Sequence, residues 1–99
     1  MTFSVNLQDH IAIVTGSGAD VGRAVAHALA GAGAAVAVND LNPDRVETVA
    51  AQINEAGGRA VGIQGDVSNR FQVGSLVETT RADLGEPTLL VNAAGGYKG

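Results

Sequence analysis

The sequence predicts an α/β fold in which a parallel four-stranded sheet carries helices on both faces. Four short apolar runs alternate with three longer segments whose apolar residues recur at helical spacing, which gives the order β-α-β-α-β-α-β. Continuous apolar runs are typical of parallel strands that are buried on both faces. Right-handed crossovers between such strands predict the order 3-2-1-4, and we interpret residues 1–99 as one domain or part of one.

The first half of the chain accounts for two strands and two helices. The first strand is Ile11–Val14, and a glycine-rich turn joins it to a helix that starts at Asp20 and has Gly33 at its C-terminal end. The second strand is Ala35–Asn39. The second helix starts at residues 42–43, Asn then Pro, because Asn caps helices well and Pro fits the first helical position.

The second half of the chain adds two strands and one helix. Two glycines at residues 57–58 end the second helix, and Ala60–Gln64 forms the third strand. Ser68 is expected to cap the third helix, and Gly85 ends it. The fourth strand is Thr88–Val91, whose apolar side chains are expected to lie at an exposed edge of the sheet.

The composition argues against several classes of function. The 99 residues carry a formal net charge of −4 and no basic run, which argues against nucleic-acid binding. The lack of cysteine excludes disulfides and thiolate chemistry, and the two histidines have no neighbours at metal-ligand spacing. The N-terminus has no signal-peptide pattern, and no apolar stretch is long enough to cross a bilayer. We therefore expect a cytoplasmic protein that binds no metal, membrane or nucleic acid.

The turn after the first strand has the composition of a phosphate-binding loop. Glycine permits left-handed backbone angles and lets a phosphate approach the main chain, while the following helix presents unpaired N–H groups and a partial positive charge. A strand, a glycine turn and a helix in this order predict a dinucleotide pyrophosphate site. The alternative is an ordinary tight turn that packs a helix closely on a strand. The candidate binding residues are Gly16, Ser17, Gly18, Asp20, Val21 and Gly22.

Two carboxylates follow the second and third strands, at the edge where the carboxyl ends of parallel strands meet. Asp40 stands about 20 residues beyond the glycine turn, the position from which an acid accepts hydrogen bonds from the adenosine ribose. Because a carboxylate repels a 2′-phosphate, and because Leu41 rather than Arg follows it, NAD is predicted over NADP. Asp66 is expected to accept from the adenine amino group, with Val67 as an apolar wall. The alternatives are a simple turn at position 40 and an Asx turn at position 66.

The fourth strand leads into a segment of small residues, Asn92–Gly95. Asn92 is expected to bridge neighbouring strands through its amide. The small residues Ala94 and Gly95 would let the backbone pass close to a ribose. The alternative is a simple loop.

Together these motifs resemble the N-terminal, cofactor-binding half of the short-chain dehydrogenase/reductase family. That family carries Thr-Gly-x-x-x-Gly-x-Gly, an acid after the second strand, Asp-Val after the third and Asn-Asn-Ala-Gly after the fourth. The matching positions here are Thr15–Gly22, Asp40, Asp66–Val67 and Asn92–Gly95. The resemblance implies a Rossmann-type fold and an NAD(P)-dependent oxidoreductase that transfers hydride between nicotinamide and a small carbonyl or alcohol substrate. It also implies a homo-oligomer for the full-length protein.

The catalytic machinery of that family resembles a Ser-Tyr-Lys set in which Lys follows Tyr by four residues on one helix face. Tyr97 and Lys98 are adjacent and do not share a face, so no catalytic residue is assigned. The simplest interpretation is a fragment of a longer dehydrogenase, and the alternative is a non-catalytic dinucleotide-binding module. A methyl-transfer or nucleotide-sugar enzyme fits less well, and a phosphate-loop NTPase is excluded because no Gly-Lys-Ser/Thr follows Gly16.

Two positions depart from the family pattern. Ala93 replaces the second Asn, and Asp20 replaces the middle glycine of the turn. Repulsion between one carboxylate charge and one phosphate charge at ~4 Å costs about 1 kcal/mol in water and about 4 kcal/mol at an effective dielectric of about 20. Asp20 is also expected to cap the helix and to occupy the anion position itself, while Gly18 supplies the flexibility of the missing glycine.

Overall fold

The structure, a computed structural model, describes residues 5–93. Four parallel strands form one sheet in the order β3-β2-β1-β4, as predicted. The three helices join the strands as crossovers, which is the arrangement that parallel pairing requires. The elements in chain order are β1 (Ile11–Thr15), α1 (Asp20–Gly31), β2 (Ala35–Asp40), α2 (Pro43–Glu55), β3 (Arg59–Gln64), α3 (Arg70–Asp83) and β4 (Leu89–Asn92).

Helices cover both faces of the sheet, because successive strand side chains point to opposite sides. Val14 of β1 faces α1 and α2, whereas its neighbour Ile13 faces α3. The larger cluster of buried residues consists of Val14, Ala26, Ala34, Val36, Val38, Val46, Val49, Ala50, Ile53 and Ala60. The smaller cluster consists of Ile13, Ala35, Ala37, Leu76 and Leu84.

The helix ends follow the predicted capping chemistry with two corrections. Asn42 caps α2 by accepting from the N–H groups of Asp44 and Arg45, and Pro43 is the first helical residue. The cap of α3 is Asn69, which accepts from the N–H groups of its first turn, so the assignment to Ser68 was wrong. The hydroxyl of Ser68 donates instead to Asp66. In α1 the C-cap is Ala32, and Gly33 is the next residue, with a φ of 108°.

The α3 face of the sheet is less fully covered near β4. Leu90 is 72% exposed, which confirms the predicted exposed apolar edge. A groove of about 420 Å³ runs between α3 and β4 and is lined by Ile13, Thr15, Val67, Val73, Leu76, Val77, Pro87, Thr88, Leu89, Leu90 and Asn92. Among residues 5–93, the helices are all too short or too polar to cross a bilayer.

Candidate functional site

A cleft of about 590 Å³ opens at the carboxyl ends of the strands. It brings together residues from the glycine turn, the end of β2, the loop after β3 and the start of α2, although these segments are distant in sequence. Most of the predicted site residues line it. The lining residues are Gly16, Ala19, Asp20, Val21, Gly22, Asn39, Asp40, Leu41, Arg45, Gly65, Asp66, Val67, Ser68 and Ala93.

Three of the predicted site residues do not line this cleft, and two others cannot be placed. Ser17 is fully buried beneath the turn. Gly18 lines an adjacent depression of about 200 Å³ beside the start of α2. Asn92 borders the apolar groove. Ala94 and Gly95, which follow the fourth strand in the sequence, lie outside the described residues.

The glycine turn needs glycine for two different reasons. Gly16 has a φ of 66°, in the left-handed region that favours glycine. Gly22 lies where α1 passes over the turn, and a Cβ there would lie 2.0 Å from the carbonyl oxygen of Gly16. At Gly18 a Cβ would lie 2.6 Å from the Cβ of Arg45 and 2.7 Å from Oδ2 of Asp40. The turn is therefore built by close approach at Gly18 and Gly22 and by backbone conformation at Gly16.

Asp20 has a backbone conformation that side chains rarely adopt. Its φ is 53°, and it is the first residue of α1. Gly18, which was expected to supply the flexibility of the missing glycine, has no positive φ, whereas Gly16 and Asp20 have one. The N-cap is Ala19, whose methyl group cannot accept a hydrogen bond, so the expectation that Asp20 caps the helix was wrong. Its negative charge does stand in the first turn, where it complements the helix dipole.

A buried polar link that the sequence analysis missed joins the turn to β2 and β3. The N–H and the hydroxyl of Ser17 both donate to the carbonyl oxygen of Asn39, at 2.8 and 3.0 Å. The side-chain amide of Asn39, which is 2% exposed, donates to the carbonyl oxygens of Ile63 at 3.0 Å and Gly65 at 3.4 Å. An amide at the end of an apolar strand was the available signal. This link holds the turn and the loop after β3 in one arrangement.

Asp40 is held by backbone donors from two sides. Its Oδ2 accepts from the N–H of Gly18 at 2.9 Å, and its Oδ1 accepts from the N–H of Asn42 at 3.0 Å. Arg45, which sequence analysis also missed, lines the same cleft. No arginine directly follows Asp40 in the sequence, because Leu41 does, but the first turn of α2 brings Arg45 back to this edge.

Asp66 forms the Asx turn that the sequence left as an alternative. Its Oδ1 accepts from the N–H of Ser68 at 2.9 Å and from the Ser68 hydroxyl at 2.7 Å. The Ser68 hydroxyl and N–H hold the pKa of the Asp66 carboxyl below its usual range. The N–H of Asp66 donates to the side chain of Gln72 at 2.6 Å. Asp66 is therefore positioned by two elements and stays charged at neutral pH.

The predicted amide bridge at the end of the fourth strand is present. The hydroxyl of Thr15, which is buried, donates to Oδ1 of Asn92 at 2.8 Å. This bond joins the carboxyl ends of β1 and β4. It places Thr15 and Asn92 beside the glycine turn.

The cleft can hold an anion at one place and hydrogen-bond donors at two others. The backbone of α1 directs its first-turn N–H groups toward the glycine turn, and the close approach at Gly22 leaves no room for a side chain there. The carboxylates of Asp40 and Asp66 can accept from hydroxyl and amino groups. This combination of N–H donors and carboxylate acceptors fits a dinucleotide. Among residues 5–93, no group of three or more His, Cys, Asp or Glu side chains is placed to hold a metal ion.

Known proteins are similar to this chain in sequence and in fold. The model of the short chain dehydrogenase family matches residues 10–99. The 7alpha-hydroxysteroid dehydrogenase of Escherichia coli strain K12 is 36% identical over 93 residues, covering 94% of this chain and 36% of that protein. A crystal structure of hydroxysteroid dehydrogenase from Escherichia coli superposes with a TM-score of 0.89 and 36% identity, covering 92% of this chain and 39% of that one.

A further solved structure contains a cofactor. It is 7 alpha-hydroxysteroid dehydrogenase complexed with NADH and 7-oxo glycochenodeoxycholic acid, with a TM-score of 0.86 and 34% identity over 88% of this chain and 34% of that one. The chain thus spans little more than a third of the length of these relatives. Because the family match covers nearly all of the sequence, the chain belongs to the short chain dehydrogenase family.

Proposed function

We propose that this chain is the N-terminal, cofactor-binding half of an NAD(P)-dependent oxidoreductase that transfers hydride between nicotinamide and a carbonyl or alcohol substrate. The observation that carries the proposal is the turn at Gly16 and Gly22, where the first turn of α1 meets the carboxyl end of β1 with no space for a side chain. The relatives are dehydrogenases about 2.5 times as long, so the activity is proposed for a protein of that length.

Each predicted site residue has a proposed role in binding one part of the dinucleotide. Gly16, Gly18, Gly22 and the N–H groups of α1 would hold the pyrophosphate, and Ser17, Asp20 and Val21 would surround that position. Asp40 and Leu41 would hold the adenosine ribose, and Asp66 and Val67 the adenine. Asn92, Ala94 and Gly95 would lie along the second ribose. The nicotinamide supplies or accepts the hydride when bound, and the residues of this chain bind and orient it. The proposal includes the cytoplasmic location and homo-oligomeric state that the sequence analysis predicts.

NADH is expected to bind more tightly than NADPH, because the Asp40 carboxylate repels a 2′-phosphate. Replacing Asp40 by Ala removes this repulsion and leaves the positively charged Arg45 in the cleft. The variant is expected to have a preference for NADH over NADPH that is at least about fivefold smaller. Titration of the intact protein with each reduced cofactor, followed by fluorescence, measures both dissociation constants. Asp44→Ala is the control, since it removes an exposed carboxylate that lies outside the cleft. Equal binding of the two cofactors by the unchanged protein would contradict the NAD assignment.

Asp20→Gly is expected to tighten binding of NADH and to stabilise the fold. Glycine adopts a φ of 53° without the steric cost that a side chain adds, and the substitution removes a negative charge beside the pyrophosphate position. Asp20→Asn separates the two effects, because asparagine also tolerates the left-handed region but is neutral. Calorimetric titration with NADH and thermal unfolding measure both quantities. Equal or weaker affinity in both variants would show that the Asp20 charge does not oppose the ligand.

A second candidate function is a non-catalytic dinucleotide-binding module. It is favoured by the adjacency of Lys98 to Tyr97, the single tyrosine of the sequence, because adjacent residues do not share a helix face. Both candidates predict NADH binding, so binding does not separate them. The intact mass of the natural protein does: a mass near 9.9 kDa supports the module, and a larger mass with a Tyr-x-x-x-Lys segment supports the oxidoreductase.

A further inference from the structure

We propose that Asp40 is a positioning residue for the glycine turn, so that it controls affinity for the phosphate part of the ligand as well as for the ribose. This inference rests on the proposed dinucleotide site. It differs from the ribose role because it concerns the protein before any ligand binds. The hydrogen bond between Gly18 and Asp40 carries it.

The carboxylate of Asp40 joins two segments that both border the cleft. Oδ2 accepts from the N–H of Gly18 in the turn, and Oδ1 accepts from the N–H of Asn42, the cap of α2. Hydrogen bonds from backbone N–H groups to a carboxylate are stronger than those to a neutral oxygen. Asp40 therefore fixes the position of the turn relative to the start of α2.

The position of Gly18 depends on this hydrogen bond, because the backbone of Gly18 packs closely against neighbouring side chains. A Cβ at Gly18 would lie 2.7 Å from Oδ2 of Asp40 and 2.6 Å from the Cβ of Arg45, so the backbone of the turn lies directly against these two side chains. The preceding residue is anchored separately, through the bonds of Ser17 to the carbonyl oxygen of Asn39. Loss of the carboxylate would therefore release Gly18 while Ser17 stays held.

Charge alone predicts the opposite effect on phosphate binding. Removing a negative charge near an anion site strengthens anion binding. If Asp40 positions the turn, its removal weakens binding of the anion, because the N–H groups that would surround the phosphate are no longer ordered in advance. The sign of the change in pyrophosphate affinity therefore distinguishes positioning from simple repulsion.

The first test measures binding of two partial ligands, inorganic pyrophosphate and adenosine, by competition with NADH fluorescence in the intact protein. Asp40→Ala is expected to weaken pyrophosphate binding about three- to tenfold, the equivalent of one lost hydrogen bond, as well as weakening adenosine binding. Asp40→Asn removes the same charge but keeps one acceptor oxygen, so its pyrophosphate affinity is expected to lie between the unchanged protein and the Ala variant. Asp44→Ala, which removes a nearby exposed carboxylate, is expected to leave both affinities unchanged.

The second test needs no ligand. In Asp40→Asn and Asp40→Ala, amide hydrogen exchange measured by NMR is expected to speed up at Gly18 and to stay unchanged at Ser17. Unchanged exchange at Gly18 in both variants, or unchanged or tighter pyrophosphate binding in the Ala variant, would overturn the inference. A protein that binds neither NADH nor pyrophosphate would contradict the proposed function instead, and the exchange rates would still decide the role of Asp40.

Discussion

Replacing Gly22 by Ala is expected to abolish detectable NADH binding and to lower the free energy of unfolding by about 3 kcal/mol. The added Cβ would lie 2.0 Å from the carbonyl oxygen of Gly16 and 2.9 Å from Cα of Ser17. The three nearest atoms all belong to the backbone of the turn, so no side-chain rotation relieves the overlap. Either the turn or the N-terminus of α1 must move, and either movement would break the arrangement around the proposed pyrophosphate position.

Urea unfolding and NADH titration together measure this prediction. Gly31→Ala provides a matched control in the same helix, because a Cβ there would meet no other heavy atom of the described residues within 4 Å. That variant is expected to bind NADH normally and to be as stable as the unchanged protein or slightly more so, since Ala favours helix. Normal NADH binding by Gly22→Ala would show that the turn does not form the site.

Replacing Asn39 by Asp exchanges the side-chain NH2 group for an oxygen. This substitution is expected to lower the free energy of unfolding by about 3–5 kcal/mol at neutral pH, more than any other change of similar size in the cleft. The Asn39 amide is almost fully buried and donates to the carbonyl oxygens of Ile63 and Gly65. A carboxylate would set an acceptor against two acceptors and leave a buried charge without a partner. The introduced carboxyl would have a raised pKa in the folded state, so the destabilisation would grow as pH rises above about 4.

Unfolding curves at several pH values measure this prediction, and two variants separate its causes. Asn39→Leu removes the donors without adding charge and is expected to cost about 1–3 kcal/mol with no dependence on pH. Asn54→Asp makes the same chemical change at an exposed amide that bonds to Ala60, and is expected to cost less than about 1 kcal/mol. Similar losses at positions 39 and 54 would mean that burial is not what makes Asn39 important.

The sequence was sufficient for the fold because local and long-range signals agree. Apolar runs such as Ile11–Val14 and Ala35–Asn39 need burial on both faces, which α1 and α2 supply on one face and α3 on the other. The boundaries shifted by a residue where strands continue into polar side chains, as at Thr15 and Asp40. Thr15 donates across the sheet to Asn92, and Asp40 accepts from Gly18 in the turn and from Asn42. Periodicity carries no information about such partners.

The site was only partly predictable because its polar bonds join segments that are remote in sequence. Ser68 and Asn69 are both good caps, and the choice between them depends on Asp66, which binds Ser68. The role of Asn39 depends on carbonyl oxygens of β3, and the position of Arg45 depends on how α2 returns over the glycine turn. The conformation of Asp20 follows from the turn as a whole rather than from its own preference.

The bonds at the carboxyl edge of the sheet link the capacity to bind ligand to the order of folding. The bonds between the turn and β2 join residues that are 22 positions apart in the sequence. The bond between β2 and β3 joins residues 24 positions apart, and the bond between β1 and β4 joins residues 77 positions apart. Such contacts form only after long loops have closed, which is the slow part of folding a parallel sheet. The cleft is therefore among the last features to appear when the chain folds. Recovery of NADH fluorescence during refolding reports the completed sheet, whereas helical circular dichroism reports the earlier steps.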